Sequence, residues 1–217
     1  MKRIIIIGEG QTEQSFCSAV LQPHFNKYSI YIQNPVIKKT SGGIVHWPAL
    51  KHQVQLHLRQ DKTAFVTTLI DYYGIHAHHK YPKWEEAQTM RNMSSAMYAI
   101  ENAMLNDVDE GLRYRFIPYI QLHEFEALIF CDADVFDMYY EANEADLNQL
   151  KNICSTNPNP EDINNSPVTA PSKRLMQYIP GYNKITDGTQ LLMAIGLTTI
   201  RNKCPRFNHW IETLETI

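Results

Sequence analysis

Short apolar runs and longer amphipathic segments alternate along the chain. Apolar, β-branched and aromatic stretches predict four strands, at residues 2–8, 28–37, 63–70 and 115–122. In the first of these, the isoleucines from Ile4 to Ile7 are consecutive rather than alternating with polar residues. Such a run is typical of a strand that is covered on both faces of its sheet. We therefore expect a buried central strand at the start of the chain.

Apolar residues at helical spacing predict helices between and after these strands. The segments are residues 11–26, 47–59, 84–106, 146–154, 190–197 and 207–214. Residues 41–43 (Ser-Gly-Gly) predict a turn, and residues 156–171, rich in Asn, Pro and Ser, predict a loop. Strands that alternate with helices indicate an α/β fold with a mostly parallel, Rossmann-like sheet flanked by helices.

The length of 217 residues suits a single domain over residues 1–217, in which residues 145–217 form a mainly helical C-terminal extension. The apolar runs are too short to span a bilayer, and the first is too short for a secretory signal. The four cysteines are widely spaced without a CxxC pair, which favours free thiols over a zinc site. We therefore expect a cytoplasmic protein that does not contact the membrane.

The formal net charge of −3 gives the whole protein no strong attraction to nucleic acid. Binding to DNA or RNA would need a local basic patch or bridging metal ions.

The segment Gly8-Glu9-Gly10-Gln11-Thr12-Glu13 joins the first strand to the first helix. In open α/β sheets this edge is where ligands bind. Glu9 is not a usual helix-capping residue, so we interpret it as functional. Glu13 has two open interpretations, because a carboxylate in the first turn also stabilises a helix by about 0.3–1 kcal/mol.

Two further acidic segments follow predicted strands. Asp71 ends the third strand, where it either caps the next turn or points to the same edge as Glu9. Glu124 and Glu126 follow the fourth strand in the sequence His-Glu-Phe-Glu. Buried carboxylates require compensation by a metal, a basic group or water. We expect Glu124 to line the site, give Glu126 lower weight, and interpret His123 as a hydrogen-bonding partner.

If these acids converge, a hard divalent cation would relieve their repulsion. Oxygen ligands suit Mg²⁺ or Mn²⁺, which activate water or polarise a phosphoryl oxygen. Candidate phosphate-binding residues are Lys173 and Arg174, near a predicted helix start, and Arg201, although each is also compatible with a merely solvated surface position. The histidines at positions 76, 78 and 79 lack a regular ligand spacing, so we interpret that loop as mainly exposed.

The stretches EGQTE, TTLIDYYG, RFIPYIQLHEFEALIF, PEDIN, APSKRL and IGLTTIRNKCPRFNHW cover much of the chain. In them the sequence resembles a bacterial family of domains of unknown function, of the DUF4276 type, that carries a TOPRIM-like domain. It is distantly similar to the overcoming-lysogenization-defect nucleases. The resemblance implies Mg²⁺ binding by Glu9 and Asp71, and nuclease activity with an ATPase partner, in some relatives in phage defence.

The chain departs from that pattern at Tyr73, where the resemblance implies a second aspartate. Glu124 or Glu126 would have to supply the missing ligand. The first hypothesis is a Mg²⁺- or Mn²⁺-dependent nuclease with Glu9, Asp71, Glu124 and Lys173 as catalytic residues. The second is a non-catalytic interaction or sensor module, and the third a phosphatase or nucleotide-binding enzyme. Self-association into a homo-oligomer is left open.

Overall fold

A computed structural model of the chain describes residues 2–37, 44–163, 166 and 168–217. The turn predicted at residues 41–43 lies outside this part. The strands are β1 (Lys2–Gly8), β2 (Ile30–Gln33), β3 (Phe65–Asp71), β4 (Phe116–Ile117) and β5 (Ile120–Gln121). They form one sheet in the order β2-β1-β3-β4, with β5 paired to β3 beyond β4, and these pairings are parallel.

The fourth predicted strand is split into β4 and β5 by Pro118, which has no N–H to donate to the ladder. Thr68 of β3 replaces the missing ladder at this point. Its hydroxyl donates to the carbonyl oxygen of Tyr119 at 2.8 Å and accepts from the Tyr119 N–H at 2.9 Å. The sheet thus stays continuous past the proline.

The helices are α1 (Gln11–Phe16), α2 (Gln22–Phe25), α3 (Trp47–Gln60), α4 (Trp84–Ala87), α5 (Met93–Asp107), α6 (Asp134–Tyr139), α7 (Leu147–Thr156), α8 (Pro171–Tyr178), α9 (Thr186–Lys203) and α10 (Pro205–Glu215). A π-helical segment (Cys17–Leu21) joins α1 to α2, which confirms a continuous helical stretch there. The single helix predicted at residues 84–106 is wrong. The chain breaks after α4, and Asn92 starts α5 by accepting a hydrogen bond from the Ser95 N–H at 2.8 Å.

Both faces of β1 are covered, as the isoleucine run predicts. Ile4 and Ile6 pack in the cluster that contains the α1 and C-terminal helices, whereas Ile5 and Ile7 pack in the cluster of α3 and α5. The helical character predicted for residues 145–217 is confirmed, and these helices share a core with the sheet. The fold is therefore α/β and Rossmann-like, with a helical C-terminus. Within the described ranges, no helix is both long enough and apolar enough to cross a membrane.

The strand order creates a switch point between β1 and β3. From β1 the chain first builds outward to β2 and then crosses to β3 on the other side of β1. The helices that leave β1 and β2 consequently lie on opposite faces of the sheet. In sheets of this kind, the crevice at the carboxyl ends of the two strands is where ligands bind.

Candidate functional site

Glu9 and Asp71 lie at the switch point and are joined to each other. Glu9 follows the last residue of β1, and Asp71 is the last residue of β3. The Glu9 Oε1 atom accepts a hydrogen bond of 2.7 Å from the backbone N–H of Asp71. The convergence that the sequence predicts for these two acids is therefore present.

Asp71 is surrounded by acidic groups. Its Oδ1 atom accepts a hydrogen bond of 2.9 Å from the Phe125 N–H, so it also holds the chain that follows β5. Burial raises the pKa of the Asp71 carboxyl well above its ordinary range. The charges of Glu9, Glu126, Glu13 and Glu124 raise this pKa further. The five candidate acids therefore form one acidic cluster, defined as Glu9, Glu13, Asp71, Glu124 and Glu126.

Glu13 has the structural role that the sequence leaves open, and it also lies in the acidic cluster. Its Oε2 atom accepts a hydrogen bond of 2.8 Å from the Gly10 N–H, so it caps the start of α1. Burial raises the pKa of Glu13, and the charge of Glu126 adds to this effect. Gly8 permits the close approach, because a Cβ atom at that position would lie 3.0 Å from the Cβ of Glu13.

Two hydrogen bonds fix the carboxylate of Glu124 in place. His123 has a positive φ of 63°, which turns the chain sharply after β5 and directs it back towards the cluster. Both carboxylate oxygens of Glu124 then bind Ser172, one to its N–H at 2.9 Å and the other to its hydroxyl at 3.0 Å. Glu124 thereby caps helix α8, a structural role that the sequence does not reveal.

Lys184 also contacts the acidic cluster, and the sequence does not predict it there. It lies between α8 and α9, and its Nζ is 2.7 Å from Oε1 of the buried Glu126. Burial by itself would lower the pKa of Lys184, but Glu126, Glu124 and Asp71 outweigh this and raise the pKa. A single lysine in a loop carries no periodic or motif signal, so only the fold brings it to the cluster.

The donor chemistry of the acidic cluster fits a hard divalent cation, because five carboxylates face one ammonium group. As the side chains lie, however, no group of three histidines, cysteines or acids in the described ranges is arranged to hold a metal ion. Hydrogen bonds or the ion pair to Lys184 engage each carboxylate of the cluster. Metal coordination would thus require at least some of these side chains to rotate.

The predicted phosphate-binding residues are not part of the cluster's contacts. Lys173 is exposed, and its side chain makes no hydrogen bond or ion pair with another described residue. The Arg174 Nε donates to the Thr169 carbonyl oxygen at 2.6 Å, which ties it to its own loop. Arg201 forms an ion pair with Glu215, and Glu215 also binds His24. His24 lies about three helical turns beyond Glu13 in the chain, so this pair is separate from the cluster. Their role at a phosphate stays a prediction.

Four histidines gather beside the sheet edge. The loop histidines at positions 76, 78 and 79 are joined by His46, with ring centroids 4.0–5.9 Å apart. His79 is buried rather than exposed, and its Nδ1 accepts from the His76 N–H at 3.0 Å. The loop is therefore more structured than the sequence indicates.

A protein family described as "Domain of unknown function (DUF4276)" matches residues 8–215. This range contains each member of the acidic cluster and Lys184. No curated protein and no solved structure matches the chain.

Proposed function

The chain belongs to the DUF4276 family, and we propose that it hydrolyses phosphodiester bonds in DNA or RNA with Mg²⁺ or Mn²⁺ as cofactor. The observation that carries the proposal is the position of Asp71. This acid lies at the switch point of the sheet with four other carboxylates around it. Three of the five acids are buried, and a stable fold has no need to gather so many like charges at a ligand-binding edge, since each raises the cost of ionising the next.

A divalent cation at this edge would polarise a phosphoryl oxygen and lower the pKa of a bound water. Glu9, Asp71, Glu13 and Glu126 are the proposed ligands, and Glu124 completes the acidic surroundings. The hydrogen bond from Asp71 to Glu9 keeps the ends of β1 and β3 in register, so both carboxylates are positioned by buried strands. Rigid strand ends are well suited to hold a reactive site.

The bond between Glu124 and Ser172 supports a role for Lys173. It fixes the first turn of α8 next to the acidic cluster. Lys173 follows Ser172 and is exposed, so its ammonium group remains available to a phosphate of the substrate. The resemblance to TOPRIM-like nucleases supports the same reaction class. We further propose that the chain works with an ATPase partner and has a role in phage defence.

The test is a cleavage assay with the purified chain. Supercoiled DNA, linear DNA and RNA are incubated with Mg²⁺, with Mn²⁺ or with a chelator. We expect metal-dependent cleavage that falls at least about 100-fold in Glu9→Gln and Asp71→Asn, as expected when a metal site is damaged. Glu85→Gln is the control, since Glu85 is exposed on α4. Cleavage that persists in the double variant Glu9→Gln/Asp71→Asn would refute the assignment.

A second candidate function is a non-catalytic interaction or sensor module. It is favoured by the internal hydrogen bonding of the acids, above all the two bonds from Ser172 to Glu124. For this function, neither Mg²⁺ nor Mn²⁺ would raise the melting temperature of the chain, whereas a metal enzyme is stabilised in proportion to the logarithm of metal concentration. A thermal-shift titration separates the two candidates.

A further inference from the structure

Lys184 is a basic residue that forms an ion pair with the acidic cluster. Its ammonium group contacts Glu126, and the charges of Glu124 and Asp71 also act on it. Glu126 is 6% exposed, whereas the side chain of Lys184 is 41% exposed. One end of the ion pair is therefore fixed in the protein, and the other can reach water.

The backbone at Lys184 is anchored, so only its side chain has room to move. The Asn183 side chain accepts hydrogen bonds from the N–H groups of Ile185 and Thr186 at 2.9 and 3.1 Å. Asp187 in turn accepts a hydrogen bond of 2.8 Å from the Asn183 N–H. These bonds set the entry into α9 and leave the four-carbon stem of Lys184 as the flexible part.

We propose that Lys184 is an internal counter-ion that a divalent cation displaces when it binds the acidic cluster. This inference rests on the proposed function, because it concerns the same site. An ammonium group cannot share a carboxylate oxygen with a metal without strong repulsion, so the side chain swings to solvent and releases Glu126 as a ligand. Lys184 thereby weakens cation binding and sets the concentration at which the site fills.

This arrangement also accounts for the lack of a preformed coordination group among the described residues. Lys184 occupies one oxygen of Glu126, and Ser172 occupies both oxygens of Glu124. The two contacts differ in cost to break, since both glutamates are buried but Ser172 is buried as well, whereas the side chain of Lys184 is 41% exposed. The Lys184 contact opens first.

The experiment measures binding of Mn²⁺ and Mg²⁺ to the full chain by isothermal titration calorimetry. Lys184→Met keeps the apolar stem and removes the charge, and we expect it to bind the cation about 10-fold more tightly than wild type. Lys184→Arg keeps the charge and can hold Glu126 through two hydrogen bonds, so it should bind several-fold more weakly than wild type.

Lys151→Met is the matched control. Lys151 is also 41% exposed and forms an ion pair, with Asp137, but it lies on α7 away from the cluster. Its substitution should leave cation affinity unchanged. Equal affinity in wild type, Lys184→Met and Lys184→Arg would overturn the inference, and so would weaker binding by Lys184→Met. If Lys184→Met does not fold, Lys184→Arg is compared with wild type alone. Weaker cation binding by Lys184→Arg would then support the inference, and equal binding would overturn it.

The cleavage assay separates this inference from the proposed function. The expected order of affinities without any cleavage would support displacement of Lys184 and refute the nuclease. Metal-dependent cleavage with equal affinities would refute displacement of Lys184 and leave the nuclease in place.

Discussion

Two buried glutamates cap the N-termini of helices to which they do not belong. Glu124 binds the N–H and hydroxyl of Ser172 in α8, and Glu161 accepts from the N–H groups of Arg206 and Phe207 in α10 at 2.9 and 3.1 Å. Both helices begin with proline, and the residue before it offers no side-chain cap. Because proline has no N–H, the distant carboxylate serves the next free donors.

Glu161→Ala should therefore destabilise the chain. Two buried N–H groups at the start of α10 would lose their partner, at a cost of about 2–4 kcal/mol in the free energy of unfolding. Urea denaturation measures the change, with Glu161→Gln expected to lose less because its amide oxygen still accepts from one of the two N–H groups. A Glu161→Ala variant as stable as wild type would show that water replaces the cap.

Glu101 provides a test by pH. Burial raises its pKa above the ordinary value of 4.5, although Arg206 opposes the shift. The folded chain thus holds this proton more tightly than the unfolded chain does. Its contribution to stability is complete below pH 4.5 and is lost as the pH rises through the raised folded pKa.

We expect the melting temperature of wild type to fall, relative to that of Glu101→Gln, as the pH rises from 4.5 through this window. The variant should be less stable overall, because Arg206 loses its buried partner, so the slope with pH is the quantity to compare. Glu85→Gln, at an exposed position, should follow the wild-type slope. Parallel profiles for wild type and Glu101→Gln would contradict the expectation.

At the scale of elements, the break between β4 and β5 shows how one side chain can replace the backbone hydrogen bonds of a strand pair. The sequence predicts a strand at residues 115–122 because the apolar pattern continues through Pro118. The pattern does not show that the hydroxyl of Thr68 serves both backbone groups of Tyr119. That pairing joins residues 51 positions apart, and only the parallel register brings them together.

Thr68→Val should leave the N–H and carbonyl of Tyr119 without this partner in a buried position. Each unsatisfied group costs about 1–3 kcal/mol, so the free energy of unfolding should fall by several kcal/mol. Thr68→Ser keeps the hydroxyl and should lose much less. Chemical denaturation of both variants checks this, and a Thr68→Val variant as stable as Thr68→Ser would contradict the role of the hydroxyl.

For the whole molecule, local pattern predicts the elements well and the site in part. The meeting of Glu9 with Asp71 follows from the rule that parallel strand ends share one edge, so the sequence suffices. Lys184 and Ser172 reach the site through the packing of the C-terminal helices, which no motif encodes. Arg201 is basic and lies within one of the stretches that carry the family resemblance, but its partner Glu215 is set by the contact between α9 and α10.

The C-terminal helices should be required for folding. Phe207 and Trp210 pack in the same core as Ile4 and Ile6, and Trp210 donates a hydrogen bond of 2.9 Å to Thr67 in β3. A chain that ends at residue 144 would expose this face of the sheet to water. We expect it to lack a cooperative thermal transition in circular dichroism, and a sharp transition would identify residues 145–217 as a separable unit.

The hydrogen bond from the Asp71 N–H to Glu9 turns one backbone amide into a natural spectroscopic reporter. A cation that draws electrons from the Glu9 carboxylate weakens this bond, and the amide proton of Asp71 then resonates at higher field. Nuclear magnetic resonance of the ¹⁵N-labelled chain would follow that one signal during a titration with diamagnetic Mg²⁺. Occupancy of the sheet edge becomes visible without a substrate, a partner or a catalytic turnover.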